Sequence, residues 1–159
     1  MAIVDKLPYA AGASWDPESG CLSDTREALI DGIMDWIRGA SASDGAEILC
    51  LTGVAGSGKS AIAHTIARRC HEEGILASSF FFNREFEERN RPDKLLSTIA
   101  RDLAARYPDT CIQLSSILKA DPSLATASLS RQFASLIAEP CRRQTFDNSA
   151  VFVLDALDE

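Results

Sequence analysis

The chain is short of positive charge: 16 Lys and Arg stand against 23 Asp and Glu, a formal net charge of −7. Nucleic-acid-binding surfaces are usually basic, so this balance argues against a nucleic-acid partner without excluding a local basic patch. Long apolar runs are also missing. None approaches eighteen residues, and Met1 opens no apolar signal core, so neither a membrane partner nor a secretory leader is read. A soluble, cytoplasmic chain is expected. No C-x-x-C occurs among the five cysteines, Cys21, Cys50, Cys70, Cys111 and Cys141. Their odd number and wide spacing point to a reducing compartment rather than a disulfide framework. Cys50 and Cys70 sit in apolar patterns and read as buried small residues. Only two histidines occur, His64 and His71, seven apart. No third ligand accompanies them, so they read as packed or solvated side chains and not as a metal site. Internal repeats and low-complexity tracts are absent.

What remains is an ordinary composition, 46% hydrophobic and 25% charged over 159 residues, enough for one domain with a real core. Residues 1–22 are rich in Ala, Gly, Ser and Pro, with Trp15-Asp16-Pro17 and Gly20 as turn signals, and read as a loop or linker. Ser23 or Asp24 is placed to cap a helix bearing Leu29, Ile30, Ile33, Met34, Trp36 and Ile37. Glu47 to Thr52 reads as a strand. A helix follows from Lys59 to near Gly74 and a second strand from Leu76 to Phe82, whose Phe80-Phe81-Phe82 lacks alternation and suits burial on both faces. The charged Asn83–Arg91 stretch reads as a surface loop. Pro92 opens a helix that Pro108 stops. A shorter helical piece with Ile112, Ile117 and Leu118 comes next, and then, after Ser128 or Ser130, a segment with Phe133, Leu136 and Ile137 that Pro140 ends. Ala150 to Leu154 is a third, buried-type strand. Strands alternating with helices predict a parallel α/β sheet.

The stretch Gly53-Val54-Ala55-Gly56-Ser57-Gly58-Lys59-Ser60 fits G-x-x-x-x-G-K-[ST] at every fixed position. It stands between a predicted strand and a predicted helix, the context a phosphate-binding loop requires. Glycines let successive N–H groups turn inward as an anion nest, and the helix start adds its own unpaired N–H groups. Lys59 supplies a mobile charge for the β- and γ-phosphates, and Ser60 a hydroxyl for Mg²⁺. The binding set therefore comprises Gly53, Val54, Ala55, Gly56, Ser57, Gly58, Lys59, Ser60 and the adjoining Ala61.

Val151-Phe152-Val153-Leu154-Asp155 has the form of a Walker B element, a buried strand ending in a carboxylate. Ligands of open α/β sheets lie at the carboxyl ends of strands. Ser60 and Asp155 are thus expected to converge on one metal ion although 95 positions separate them. Asp158 and Glu159 follow as candidate catalytic carboxylates, one of which would orient or deprotonate a water. The plainer reading of both is a solvated acidic turn.

Leu154-Asp155-Ala156-Leu157-Asp158-Glu159, taken with the Gly53–Ser60 loop, resembles the NACHT group of STAND P-loop NTPases, and more closely the nephrocystin-like N-terminal modules of fungal NOD-like receptors. Cys21 to Arg26 with Ile33 to Ile37 is similar to that family's lead-in helix, Phe80 to Arg84 to its second strand, and Ser130 to Ile137 to the helix before Walker B. The likeness covers roughly residues 20–159, so residues 23–159 read as a partial NACHT domain. It implies ATP or GTP binding and slow Mg²⁺-dependent hydrolysis as a signalling switch, with self-association or further receptor regions as partners. It also makes Thr25 and Arg26 weak candidates near the base, and Arg84 a weaker one near a phosphate.

The family continues past Walker B with a sensor strand that lies between the loop strand and the Walker B strand. Three of the expected strands are read here, so an incomplete P-loop NTPase sheet is expected, with NTPase activity dependent on the missing elements. The alternative is a truncated interaction or regulatory fragment that binds nucleotide weakly or not at all. A small-molecule kinase is a third reading, disfavoured because the Asn83–Arg91 loop makes a poor acceptor site.

Overall fold

The computed structural model describes residues 3–21, 25–40, 47–147 and 149–157. At its centre two parallel strands lie side by side: β1, Leu76–Phe81, and β2, Val151–Asp155. Leu76 faces Val151 and Phe81 faces Asp155, with one register irregularity between Leu76 and Ser78. Ile75 accepts from the Val151 N–H at 2.9 Å, and Asp155 accepts from the Phe82 N–H at 3.2 Å, so the pairing runs past both ends of β1. Parallel strands need a long crossover between them, and here it holds most of the helices.

The expected strand from Glu47 to Thr52 does not form. These residues join no ladder, Ile48 is 92% exposed and Cys50 is exposed rather than buried. The α/β class stands, with two strands in the sheet among the described residues instead of three. Apolar, β-compatible sequence reports a tendency to be buried, whereas a strand exists only when a neighbour takes its N–H and C=O groups. One edge of β1 is taken by β2. On the other, the Phe81 N–H donates to the Ala13 carbonyl (2.8 Å), and the Ser79 hydroxyl accepts from the Trp15 N–H (3.0 Å). Leu51 still packs part-buried on the neighbouring core.

Helix α1, Glu27–Ala40, and helix α2, Lys59–Glu72, pack together through Ile30, Ile33, Met34 and Ile37 on one side and Ile62, Ile66 and Cys70 on the other. The expected caps of α1, Ser23 and Asp24, lie outside the described residues. Past the end of α2, Gly74 turns left-handed (φ 72°) and the Ile75 N–H returns to the Cys70 carbonyl at 2.9 Å. That closure delivers the chain directly into β1.

Helix α3, Leu95–Arg106, and helix α4, Pro108–Ala120, form a second layer. Pro108 both ends α3 and opens α4, since its missing N–H is harmless at a first helical position. Leu103, Leu114, Leu118 and Leu136 centre the largest core cluster. Val4 and Leu7 of the lead segment join that cluster, and Ala10 and Ala13 are fully buried against Phe80.

The last helical run departs from expectation at Pro140. Helix α5, Leu129–Gln132, begins at a Ser128 cap whose hydroxyl accepts from the Arg131 N–H. A π-helical stretch, Phe133–Ala138, follows, and Pro140 lies inside the next helix, α6, Glu139–Arg143. The Glu139 N–H reaches back five residues to Ala134. The wider turn loosens the crowding that a proline ring imposes on the preceding turn, so the helix continues. Phe133 is 54% exposed, while Gln132 is buried and donates to the Leu124 and Ala125 carbonyls at 3.1 and 3.2 Å.

Candidate functional site

The Gly53–Ser60 loop turns tightly into α2. Gly56 and Gly58 both take positive φ, 79° and 88°, conformations that a side chain disfavours. The Ser57 N–H closes a turn onto the Val54 carbonyl at 3.1 Å. A Cβ on Gly53 would stand 2.9 Å from the Ser57 hydroxyl, so a side chain there would require that hydroxyl to turn away. Gly58 directly precedes α2, and its carbonyl accepts the Ile62 N–H. The first N–H groups of α2 therefore face the loop without backbone partners of their own.

Lys59 folds its ammonium back over the loop, donating to the Gly53 carbonyl at 2.5 Å and the Val54 carbonyl at 3.2 Å. Arg26 reaches the same loop from before α1, its guanidinium donating to the Ser57 carbonyl at 2.7 Å. Arg26 itself has a left-handed backbone (φ 58°), unusual for a residue with a side chain. Val54 is 79% exposed, and Ala55, Gly56 and Ser60 are also exposed. Ala61, in the first turn of α2, accepts the Thr65 hydroxyl at 2.9 Å.

Ser60 and Asp155 line a single cleft of about 550 Å³, together with Asp16, His64, Asn83 and Arg89. Helix α2 brings Ser60 there at its first turn, and β2 brings Asp155 at its carboxyl end. The parallel pairing with β1 sets that end beside Phe81. His64, one turn beyond Ser60, stacks on Phe81 with ring centroids 3.7 Å apart and planes 8° apart. Its Nδ1 accepts from the Asp16 N–H at 2.9 Å. Burial lowers the His64 pKa, the carboxylates of Asp155 and Asp16 pull the other way, and Arg89 adds to the lowering. Asp16 is held below the usual carboxylate range by the Glu18 N–H and then by the Ser19 hydroxyl.

A serine hydroxyl and a carboxylate are hard oxygen donors of the kind Mg²⁺ accepts while keeping most of its shell for water and phosphate. Ser60 and Asp155 fit that requirement. Among the described residues no group of three or more His, Cys, Asp or Glu is arranged to hold a metal. Asp158 and Glu159, the expected catalytic carboxylates, lie outside the described residues. Arg84 is exposed and does not line the cleft, whereas Arg89 does. Asp16 and Arg89 are the residues that sequence reasoning missed. The only local signal for Asp16 was the Trp15-Asp16-Pro17 turn, where its carboxylate caps a short helical turn by accepting the Glu18 N–H. None of the five cysteines forms a disulfide, and burial pushes the Cys70 thiol up to about 12.

Fold and site together describe an α/β protein, rich in helix, in which Ser60, at the end of the glycine-rich loop, shares a cleft with the terminal carboxylate of β2, while Gly53 to Lys59 do not line it. The chain belongs to the nephrocystin 3 N-terminal family, whose model matches residues 24–159. No curated protein and no solved structure gives a significant match. Among the described residues no helix is long and apolar enough to cross a membrane.

Proposed function

We propose that this chain binds ATP or GTP with Mg²⁺ and hydrolyses it slowly, as the switch module of a NACHT-type receptor. The observation that carries this reading is the shared cleft of Ser60 and Asp155, which lie 95 positions apart in the chain. The Gly53–Ser60 loop and the start of α2 offer backbone N–H groups to the phosphates, the arrangement favoured for anions at helix starts. Lys59 rests on two neutral carbonyls. Exchanging them for phosphate oxygens yields stronger, charge-assisted bonds. Ser60 and Asp155 would hold Mg²⁺, which when bound neutralises charge between the β- and γ-phosphate oxygens. Asp158 or Glu159 would orient the attacking water. Arg26, tied to the loop at Ser57, would brace it near the base.

A second reading is binding without turnover, as a regulatory or interaction module. It is favoured by Glu47 to Thr52 joining no sheet, which leaves the chain entering the loop unbraced. Self-association or further receptor regions would then be the functional partners.

Thermal unfolding with and without Mg²⁺-ATP, Mg²⁺-GTP or Mg²⁺-ADP tests the proposal. Ligand at a hundred times its dissociation constant adds roughly 2.7 kcal/mol. The expected result is a raised transition that Lys59→Ala abolishes. A transition indifferent to all three nucleotides overturns it. Phosphate release that stays at background while the shift persists selects the second reading.

A further inference from the structure

We infer that Arg89 is a ligand of the terminal phosphate of a bound nucleoside triphosphate, supplied in cis by the loop after β1. This rests on the nucleotide reading above and adds a residue that neither the glycine-rich loop nor β2 contains. Three observations converge on it.

The first is placement. Of the arginines near this loop, Arg84 and Arg91 are exposed and do not line the cleft, while Arg89 shares it with Ser60 and Asp155. The second is that the guanidinium is held but undersupplied with acceptors. It donates to one neutral group, the Gly12 carbonyl. Its Nε is buried and has no hydrogen-bond partner among the described residues. No carboxylate among them pairs with it, whereas Lys94, Arg131 and Arg143 each have one. A cationic fork whose acceptor is a single neutral carbonyl gains a charge-assisted bond when an anionic oxygen meets it. The third is preorganisation. The guanidinium lies over the Phe86 ring at 4.5 Å. The Arg89 N–H donates to the Phe86 carbonyl at 3.1 Å, and the Arg89 carbonyl accepts from the Asn83 N–H at 2.9 Å. A fork already fixed in direction loses little freedom on meeting a phosphate.

A terminal-phosphate ligand discriminates triphosphate from diphosphate, which a merely structural arginine does not. The test is a pair of dissociation constants, for Mg²⁺-ATPγS and Mg²⁺-ADP, measured by titration on the wild-type chain, Arg89→Gln, Arg89→Lys and Lys59→Ala. Arg89→Gln keeps a donor for the Gly12 carbonyl and removes the charge. We expect it to weaken ATPγS about tenfold or more, the scale of one charge-assisted bond, and ADP less than twofold. Arg89→Lys should fall between Arg89→Gln and the wild type. If Arg89→Gln also lowers the unliganded unfolding transition, the ATPγS-to-ADP comparison is read on Arg89→Lys, where a larger loss for ATPγS than for ADP is still expected. Equal losses for both nucleotides, or no loss for either, overturn the inference while leaving nucleotide binding intact. A wild-type chain that binds neither, or a Lys59→Ala chain that binds both normally, overturns the nucleotide reading and the inference with it.

Discussion

The two strands of the sheet are neighbours, yet they are buried differently. From Ala77 to Phe81 every residue of β1 is at most 5% exposed, whereas β2 alternates, with Phe152 and Leu154 each 38% exposed. β1 has helix layers on its faces and the lead segment along its second edge. In β2, Val151 and Val153 pack on the α1–α2 core while Phe152 and Leu154 point away from it. Burial of a strand is therefore set by the layers and edges around it: β1, with two serines among its residues, is buried, while the all-apolar Val151–Leu154 is half-exposed. Ile48, Leu49, Val54 and Leu157 are more exposed still.

Paired truncations on the two strands should show the largest contrast. Phe80→Ala should cost about 3–5 kcal/mol in urea unfolding, as buried aromatics do, and Phe152→Ala under about 1 kcal/mol. Similar losses at the two sites would break the comparison. The glycine-rich loop offers a smaller effect. Gly58→Ala should cost about 1–2 kcal/mol because an alanine is strained at φ 88°. Gly39, inside α1 with open space around it, should instead gain up to about 1 kcal/mol on change to Ala. Equal effects at the two glycines would mean that the loop relaxes without the left-handed turn.

The smallest effect is in pH. Asp102, on α3, is half-buried against β1 and accepts from the Ser78 hydroxyl at 2.6 Å and the Tyr9 hydroxyl at 2.8 Å. Burial raises its carboxyl pKa against those hydrogen bonds. The folded chain thus keeps the proton to a higher pH than the unfolded one, whose value is near 3.9. Its contribution is full below that value and is lost as pH rises through the raised folded pKa. Asp102→Asn should flatten this part of the stability profile. His64 runs the other way. Its lowered folded pKa gives stability that is full above about 6.5 and is lost as pH falls. An unchanged profile in Asp102→Asn would show that water reaches the carboxylate.

Much of the fold was legible, and for local reasons. The helix from Lys59 to Glu72, the Pro108 boundary, the Ser128 cap and the non-alternating Phe80–Phe81 strand all follow from periodicity, proline geometry and capping chemistry within a few residues. The convergence of Ser60 and Asp155 was legible too, because parallel α/β order aims helix starts and strand ends at one side. What failed did so where the answer lay far along the chain. The strand expected at Glu47 to Thr52 needed an edge, and both edges of β1 went elsewhere. The inward side expected of Phe133 yielded for a nearer reason to Gln132, whose amide found the Leu124 and Ala125 carbonyls eight and seven residues back.

By itself, then, the sequence determined the glycine-rich turn, the helix it opens and the acidic end of the last strand, since each is written in neighbouring residues and their allowed φ and ψ. Only the tertiary structure decided that the lead segment is core, burying Val4, Leu7, Ala10 and Ala13, and that Asp16 and Arg89 wall the cleft. Turn-forming residues carry no periodicity that names a partner. Their place is set by which open edge and which unsatisfied donor the rest of the chain leaves for them.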